Sequence, residues 1–321
     1  MEHINFLITS MPDSVLQGGK GSNLIKLIKL GTNIPPGYII TTNSFENFIK
    51  ASKFNDKLTE LLSKPFESNE IIEHSAKIID MIINTQMPES VINEIKRGHI
   101  LLNEPNSSFA VRSSASIEDT TSYSFAGQAN TYLFQKNIND VIKSVKKCWA
   151  SLYSPQALLY FLQMKKKNDI LSLENVRMAI IIQEMINSSV SGVLFTTNIL
   201  NNNHDEMLIN SSWGLGEAIV NNLVNPDMFI LQKDEFKIIQ KILGKKERKS
   251  IPNSVRSGTV IIDTNMQSRE KFSLTDDQLR QLHELGLKAE KAFNHPQDIE
   301  WAFENGKLFT LQSRPITTII E

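Results

Sequence analysis

The chain has 321 residues, 40% hydrophobic and 21% charged, with a formal net charge of −1. This composition fits a globular protein large enough for two domains, and its near-neutral charge argues against nucleic acid or a membrane surface as partner. The single cysteine excludes an internal disulfide, no apolar run approaches the ~18 residues of a membrane span, and the N-terminus carries no targeting pattern, so the expected location is the cytoplasm.

In chain order, Gly18-Gly19-Lys20-Gly21-Ser22 reads as a glycine-rich turn opening a helix whose apolar positions are Leu24, Leu27, Ile28 and Leu30, with Gly31 as its stop. Ile34-Pro35-Pro36-Gly37 is a rigid corner, Tyr38 to Thr41 a short buried strand, and Ser44 a cap for the next helix. Residues 45–102 read as helices broken at Pro65 and Pro88, with nothing that suggests chemistry. Phe109 to Ser114 is a strand, residues 115–127 a polar loop, and Thr131 to Phe134 a second strand. Two helices follow, near 138–150 and 155–165; Cys148, beside Trp149 in the first, reads as a buried structural thiol. Val176 to Gln183 is nearly continuously apolar, as a central strand should be, and Val190 to Thr197 is expected to pair with it. Asn201 to Asp205 is a hairpin tip, Glu206 to Asn210 the returning strand, and Met228 to Gln232 and Phe236 to Lys241 two further strands. The basic run 245–249 reads as a solvated loop. Thr275 to Phe293 is an amphipathic helix, with Thr275 and Gln278 as a capping box.

The closing stretch, 298–315, reads as a hairpin around Asn305-Gly306. Ile299, Trp301 and Phe303 alternate on one strand, Phe309 and Leu311 on the other. Facing residues share a side of the sheet, so placing these apolar sets together predicts a three-residue loop, Glu304-Asn305-Gly306, with Gly306 left-handed. Asp298, Glu300, Thr310, Gln312 and Arg314 then share the other face. A half-buried strand with a polar outer face accounts for this equally, but hard oxygen ligands beside a fixed cation suit Mg²⁺ bridging to phosphate.

Other stretches could bear chemistry. The glycines at 18, 19 and 21 let backbone N–H groups approach an anion, and Lys20 adds a charge, although the spacing is not that of a P-loop. Arg112, amid small residues in a strand, needs a partner: a phosphate, or a salt bridge with Glu118 or Asp119. Ser124-Phe125-Ala126-Gly127-Gln128 is a loop that could serve as a lid. Gln183-Glu184-Met185-Ile186 ends a strand and could read an adenine edge. Gly214-Leu215-Gly216-Glu217 is a turn that could face phosphate. The six histidines show no metal-ligand spacing.

Taken in order, Gly18-Gly19-Lys20-Gly21-Ser22-Asn23-Leu24, Ile34-Pro35-Pro36-Gly37, Val111-Arg112-Ser113-Ser114-Ala115 with Glu118-Asp119, Ser124 to Gln128, Gly214-Leu215-Gly216-Glu217 with Asn225-Pro226-Asp227, Gln297-Asp298-Ile299-Glu300-Trp301 and Gln312-Ser313-Arg314-Pro315 resemble the ATP-binding N-terminal region of the phosphoenolpyruvate synthase, pyruvate phosphate dikinase and rifampin phosphotransferase family. The resemblance spans essentially the whole chain. It implies an α/β (α+β) ATP-grasp-like fold, with lobes 1–185 and 186–321 clamping Mg-ATP. By the same resemblance Lys20 and Arg112 hold phosphates, with Gly19 and Thr131 beside the nucleotide. Gly127 and Gln128 belong to the lid, and Gln183, Glu184, Met185 and Ile186 face adenine. Glu300 and Gln312 bind Mg²⁺, with Asp298 nearby, and Arg314 contacts the transferring phosphates. Asp119-Thr120-Thr121-Ser122 departs from the family, which often has Leu-Pro there.

Family enzymes continue into a swivelling domain bearing a phosphorylated histidine in a Thr-Ser-His-type motif; none of the six histidines here lies in one. The implied function is the ATP-binding component of a dikinase-type phosphotransferase, with the histidine supplied by another chain or by the remainder of a longer one. A stand-alone ATP-grasp ligase releasing ADP, and a non-catalytic ATP-binding module, are the alternatives.

Overall fold

The computed structural model describes residues 4–51, 56, 70–102, 107–116, 130–166 and 176–317. The chain divides into two units, Met1–Ser22 with Pro36–Glu184, and Asn23–Pro35 with Met185–Glu321. The described pairings are all antiparallel, making an α+β protein rather than a βαβ one.

In the first unit, β1 (Ile4–Phe6), β2 (Gly37–Ile40), β3 (Phe109–Ala115), β4 (Thr131–Gln135) and β5 (Met178–Glu184) form a sheet in the order β1-β2-β5-β3-β4. The apolar run of β5 thus occupies the middle, as its composition predicts. Helix α1 (Ser14–Lys29) begins in this unit; α2 (Thr42–Ala51), α3 (Ile71–Asn84), α4 (Glu89–Leu102), α5 (Ile138–Ser151) and α6 (Pro155–Lys166) follow. Tyr38, Ile40, Val111, Ile180 and Ile182 share a sheet face and pack with Phe48, Ile78, Ile95, Val145 and Trp149 from the helices. Trp149 is fully buried, 5.0 Å from the Phe48 ring centre, and its indole N–H donates to the Met178 carbonyl at 3.2 Å. Burying side chains of this size stabilises by about 1.5–3 kcal/mol each. Cys148 is buried as expected, its thiol 3.6 Å from the Asn130 carbonyl. Ser44 is not the cap of α2: that helix already starts at Thr42, and Ser44 lies buried inside its first turn. The expected break at Pro65 lies outside the described residues.

In the second unit, β6 (Val190–Phe195), β7 (Glu206–Trp213), β8 (Asp227–Gln232) and β9 (Lys237–Ile242) join the closing hairpin, β12 (Gln297–Glu304) and β13 (Lys307–Pro315), in the order β13-β12-β6-β7-β8-β9. A separate hairpin, β10 (Arg248–Pro252) and β11 (Thr259–Asp263), and the short helices α7 (Glu217–Val220) and α8 (Met266–Arg269) lie among them. Helix α9 (Asp276–Phe293) starts on the expected capping box: Gln278 N–H donates to Thr275 Oγ1 at 3.3 Å, and Thr275 N–H to Gln278 Oε1 at 3.0 Å. Its Leu279, Leu282, Leu285 and Ala289 pack on Leu194, Met207, Ile209, Ile299, Trp301 and Phe303.

The expected pairing of the 176–183 and 190–197 strands does not form. β5 pairs with β2 and β3 in one sheet, β6 with β7 and β12 in the other. Two adjacent apolar runs look alike as a hairpin or as strands of separate sheets, and the division of the chain between Glu184 and Met185 decides it.

The basic run 245–249 is not a solvated loop throughout. Lys246 is fully buried and takes a left-handed φ of 44°. Its ammonium donates to Asp227 Oδ1, and to the Gly244 carbonyl at 2.9 Å. Asp227, also fully buried, accepts at Oδ1 from Gly244 N–H at 2.8 Å, and at Oδ2 from the Ser273 N–H and hydroxyl, each at 2.7 Å. A buried charge survives only when paired and hydrogen-bonded in this way. Lys245 next to it is exposed, and Arg248 and Lys249 begin β10.

Candidate functional site

In the first unit the chemistry gathers on the sheet face opposite the large helical core. Cross-strand register puts Ile39, Ile181, Arg112 and Thr131 in one row, and Gly37, Gln183 and Ala110 in the next. The start of α1 packs on this face. Gly18 breaks the helix with φ 69°, and a Cβ there would stand 2.2 Å from the Ser114 carbonyl oxygen. Ser114 donates its hydroxyl to the Gln17 carbonyl at 2.8 Å and accepts from Gly21 N–H at 3.1 Å. Asp13 opens the helix by accepting from Val15 and Leu16 N–H at 2.9 and 3.0 Å. The glycine segment is therefore a kink within α1 stitched to β3, not a free turn preceding a helix at Leu24. Lys20 is buried, and its ammonium donates to the Ser113 carbonyl at 3.4 Å. Lys20, Arg112, Thr131 and Gln183 thus belong to one face, with Gly19 next to the kink.

Glu184 lies across from Phe109, on the opposite face from Gln183, and accepts the Ser107 hydroxyl at 3.2 Å. Met185 and Ile186 belong to the second unit, so the candidate adenine segment is where the chain passes from one unit to the other. Gly127 and Gln128, the expected lid, and Glu118 and Asp119, the expected salt-bridge partners of Arg112, lie outside the described residues.

In the second unit the hairpin carries the remaining candidates. Its loop has two residues, not three: Glu304 pairs with Lys307, and Asn305 and Gly306 both take positive φ, 51° and 78°. This is the backbone of a type I′ turn, whose twist matches the strands. A bulge follows, with Trp301 across from Thr310 and Glu300 across from Gln312, so that Leu311 is the extra residue. Asp298, Glu300, Gln312 and Arg314 share a face, as expected, while Thr310 falls on the other with Trp301. The apolar set is reassigned too. Leu308, across from Phe303, packs on the main core, whereas Phe309 and Leu311 gather with Ile186 and Ala302 beside the polar residues.

Asp298 Oδ2 accepts from Arg314 Nε at 2.8 Å and lies 2.7 Å from its Nη2. Burial pushes the Asp298 carboxyl above its ordinary range; the Arg314 charge and hydrogen bond pull the other way, and Glu300 adds to the rise. Glu300 is half-buried and Gln312 buried. The cross-strand row continues from Glu300 through Val193 to Asn210 and Met228. Asn210 is half-buried on this face, and only register across three strands places it in line with Glu300.

A carboxylate facing an amide oxygen offers hard ligands of the kind Mg²⁺ takes from protein when phosphate and water complete its shell. Among the described residues, no three His, Cys, Asp or Glu side chains cluster as a metal site complete in itself. In the Gly214 turn two backbone donors are already engaged: Gly214 N–H donates to the Ser189 carbonyl at 2.9 Å and Leu215 N–H to the Ser250 carbonyl at 3.0 Å. Among the described residues no helix is long and apolar enough to cross a membrane.

The family model of the pyruvate phosphate dikinase AMP/ATP-binding domain matches residues 14–321. Among curated proteins, the probable phosphoenolpyruvate synthase of Methanocaldococcus jannaschii is 34% identical over 316 residues, covering 97% of this chain and 26% of that protein. The phosphoenolpyruvate synthase of Pyrococcus furiosus is 36% identical over 357 residues, covering 97% and 43%. The rifampicin phosphotransferase of Streptomyces sviceus is 34% identical over 305 residues, covering 94% and 34%. This chain therefore spans less than half the length of each of these relatives. It belongs to the pyruvate phosphate dikinase AMP/ATP-binding domain family.

Proposed function

We propose that this member of the pyruvate phosphate dikinase AMP/ATP-binding family is the nucleotide-binding part of a dikinase-type phosphotransferase with an ATP-grasp-like fold. ATP gives its β-phosphoryl to a histidine on a separate swivel domain or subunit while water takes up the γ-phosphoryl, leaving AMP and phosphate, and the histidine passes the group to pyruvate, rifampin or a related acceptor. The observation that carries this reading is the Glu300–Gln312 pair beside the Asp298–Arg314 ion pair, in a chain matching the family from residue 14 to its end.

Phosphoryl transfer asks a protein mainly for positioning and charge, not covalent help. Lys20 and Arg112 supply cations for the phosphates, with Gly19 and Thr131 alongside. Gly127 and Gln128 cover them. Gln183 to Ile186 meet adenine through backbone groups, and Met185 packs on the ring. Glu300 and Gln312 hold Mg²⁺, which when bound neutralises charge on the phosphate oxygens. Asp298 orients Arg314 toward the transferring group and adds negative charge beside the metal ligands. Asn210 borders the same face.

The test is to incubate the chain with Mg-ATP and an added Thr-Ser-His-type swivel domain, and to separate the nucleotides. AMP, phosphate and an acid-labile phosphohistidine on the added domain are expected. ADP as the nucleotide product, or ATP binding without any product, overturns the reading.

A further inference from the structure

Among the described residues β13 ends its sheet, and a strand at a sheet edge is held by a ladder on one side only. Its ladder is also interrupted at Leu311, one residue before Gln312. Such an edge would let Gln312 drift from Glu300. The segment 23–35 prevents this from within the second unit. Asn33 donates its side-chain amide to the Leu308 carbonyl at 2.8 Å, and its own carbonyl accepts from Thr310 N–H at 2.9 Å. Asn23 donates its amide to the Ser313 carbonyl at 3.3 Å. These contacts bracket the bulge, two before it and one after.

The segment is itself fixed. Leu27 is buried in the second unit's core and Ile34 packs against it. Between them α1 ends with Gly31 at φ 73°, and Thr32 N–H donates to the Leu27 carbonyl at 3.2 Å. Asn33 is thus held at both ends by core contacts and presented to β13 by a left-handed turn.

We infer that Asn33 and Asn23 are positioning residues for the metal ligands: they hold the bulged edge so that Gln312 stays across from Glu300. The inference rests on the metal role proposed for that pair. Asn33→Ala and Asn23→Ala are compared with wild type for the Mg²⁺ concentration that half-saturates thermal stabilisation at fixed ATP, and for ATP affinity without metal. Losing one such hydrogen bond corresponds to about a fivefold change in an equilibrium. The expected result is a rise of about that size in half-saturating Mg²⁺ for each variant, with metal-free ATP affinity unchanged and Asn33→Gln closer to wild type than Asn33→Ala. Asn265→Ala, which uncaps α8 away from β13, controls for general destabilisation. Equal half-saturation in wild type and the Asn33 and Asn23 variants overturns the inference, as does an equal rise in Asn265→Ala. A wild type without any Mg²⁺ dependence instead overturns the metal role on which it rests.

Discussion

Glu300 stands directly across from Gln312, although one step nearer the turn the partners are Trp301 and Thr310. The extra residue, Leu311, moves the polar residues into step without moving the apolar ones. Nearer the turn, ordinary alternation puts Leu308 on the main core and Phe309 on the other face, where it gathers with Leu311 beside Ile186.

This juxtaposition predicts that Glu300→Gln and Gln312→Met lower metal-dependent nucleotide turnover, each by about a hundredfold or more, because the first removes the ligand's negative charge and the second its oxygen while each nearly preserves volume. Circular dichroism and the thermal midpoint should stay near wild type. Turnover within a few-fold of wild type in both variants would remove the metal role from the hairpin.

The hairpin also shows where sequence pattern reaches its limit. Alternation identified two strands and put Asp298, Glu300, Gln312 and Arg314 on one face, because a shift of two residues preserves parity. It assigned Thr310, Phe309 and Leu311 to the wrong sides, because the turn has two residues and the bulge that brings the polar residues back into step beyond it leaves no local signature in composition. The capping box at Thr275 was legible because both its partners lie within one turn of helix. The burial of Lys246 was not, since Asp227 and Ser273, which neutralise and satisfy the pair, lie 19 and 27 residues away. Asn210 escaped for a related reason: its place beside Glu300 depends on β6 standing between them.

Gly18 and Gly31 both take positive φ, so alanine is strained at either. Around Gly31 there is open space, and Gly31→Ala should cost about 1 kcal/mol. At Gly18 a Cβ would also meet the Ser114 backbone, which cannot yield without moving β3. Gly18→Ala should cost more, about 3 kcal/mol, and weaken ATP affinity, since β3 carries Arg112. Equal losses in chemical denaturation would show that the close approach relaxes at little cost.

The Asp227–Lys246 pair predicts a sharp contrast between neighbours. Lys246→Met leaves a buried carboxylate with neutral donors only, and should lower unfolding free energy by about 3–5 kcal/mol. Lys245→Met, at an exposed position, should stay within about 0.5 kcal/mol of wild type. Urea denaturation of the two variants measures the difference directly. A mild effect at Lys246 would mean that the Gly244 and Ser273 donors suffice for Asp227.

Asp298 predicts a pH dependence whose sign follows from its burial. A carboxyl raised in the folded state binds its proton more tightly there than in the unfolded chain. Its contribution to stability is fully present below the unfolded value, about 3.9, and is lost as pH rises through the higher folded value. Asp298→Asn removes this titration. The stability of wild type relative to the variant should therefore fall as pH is raised from about 4 through the titration of the folded carboxyl, and level off above it. Denaturation of both proteins across that range measures it. A wild-type advantage that grows with pH would mean that Arg314 outweighs burial and holds Asp298 as a favoured anion; Asp298 would then serve the site mainly through the charge it contributes beside Glu300.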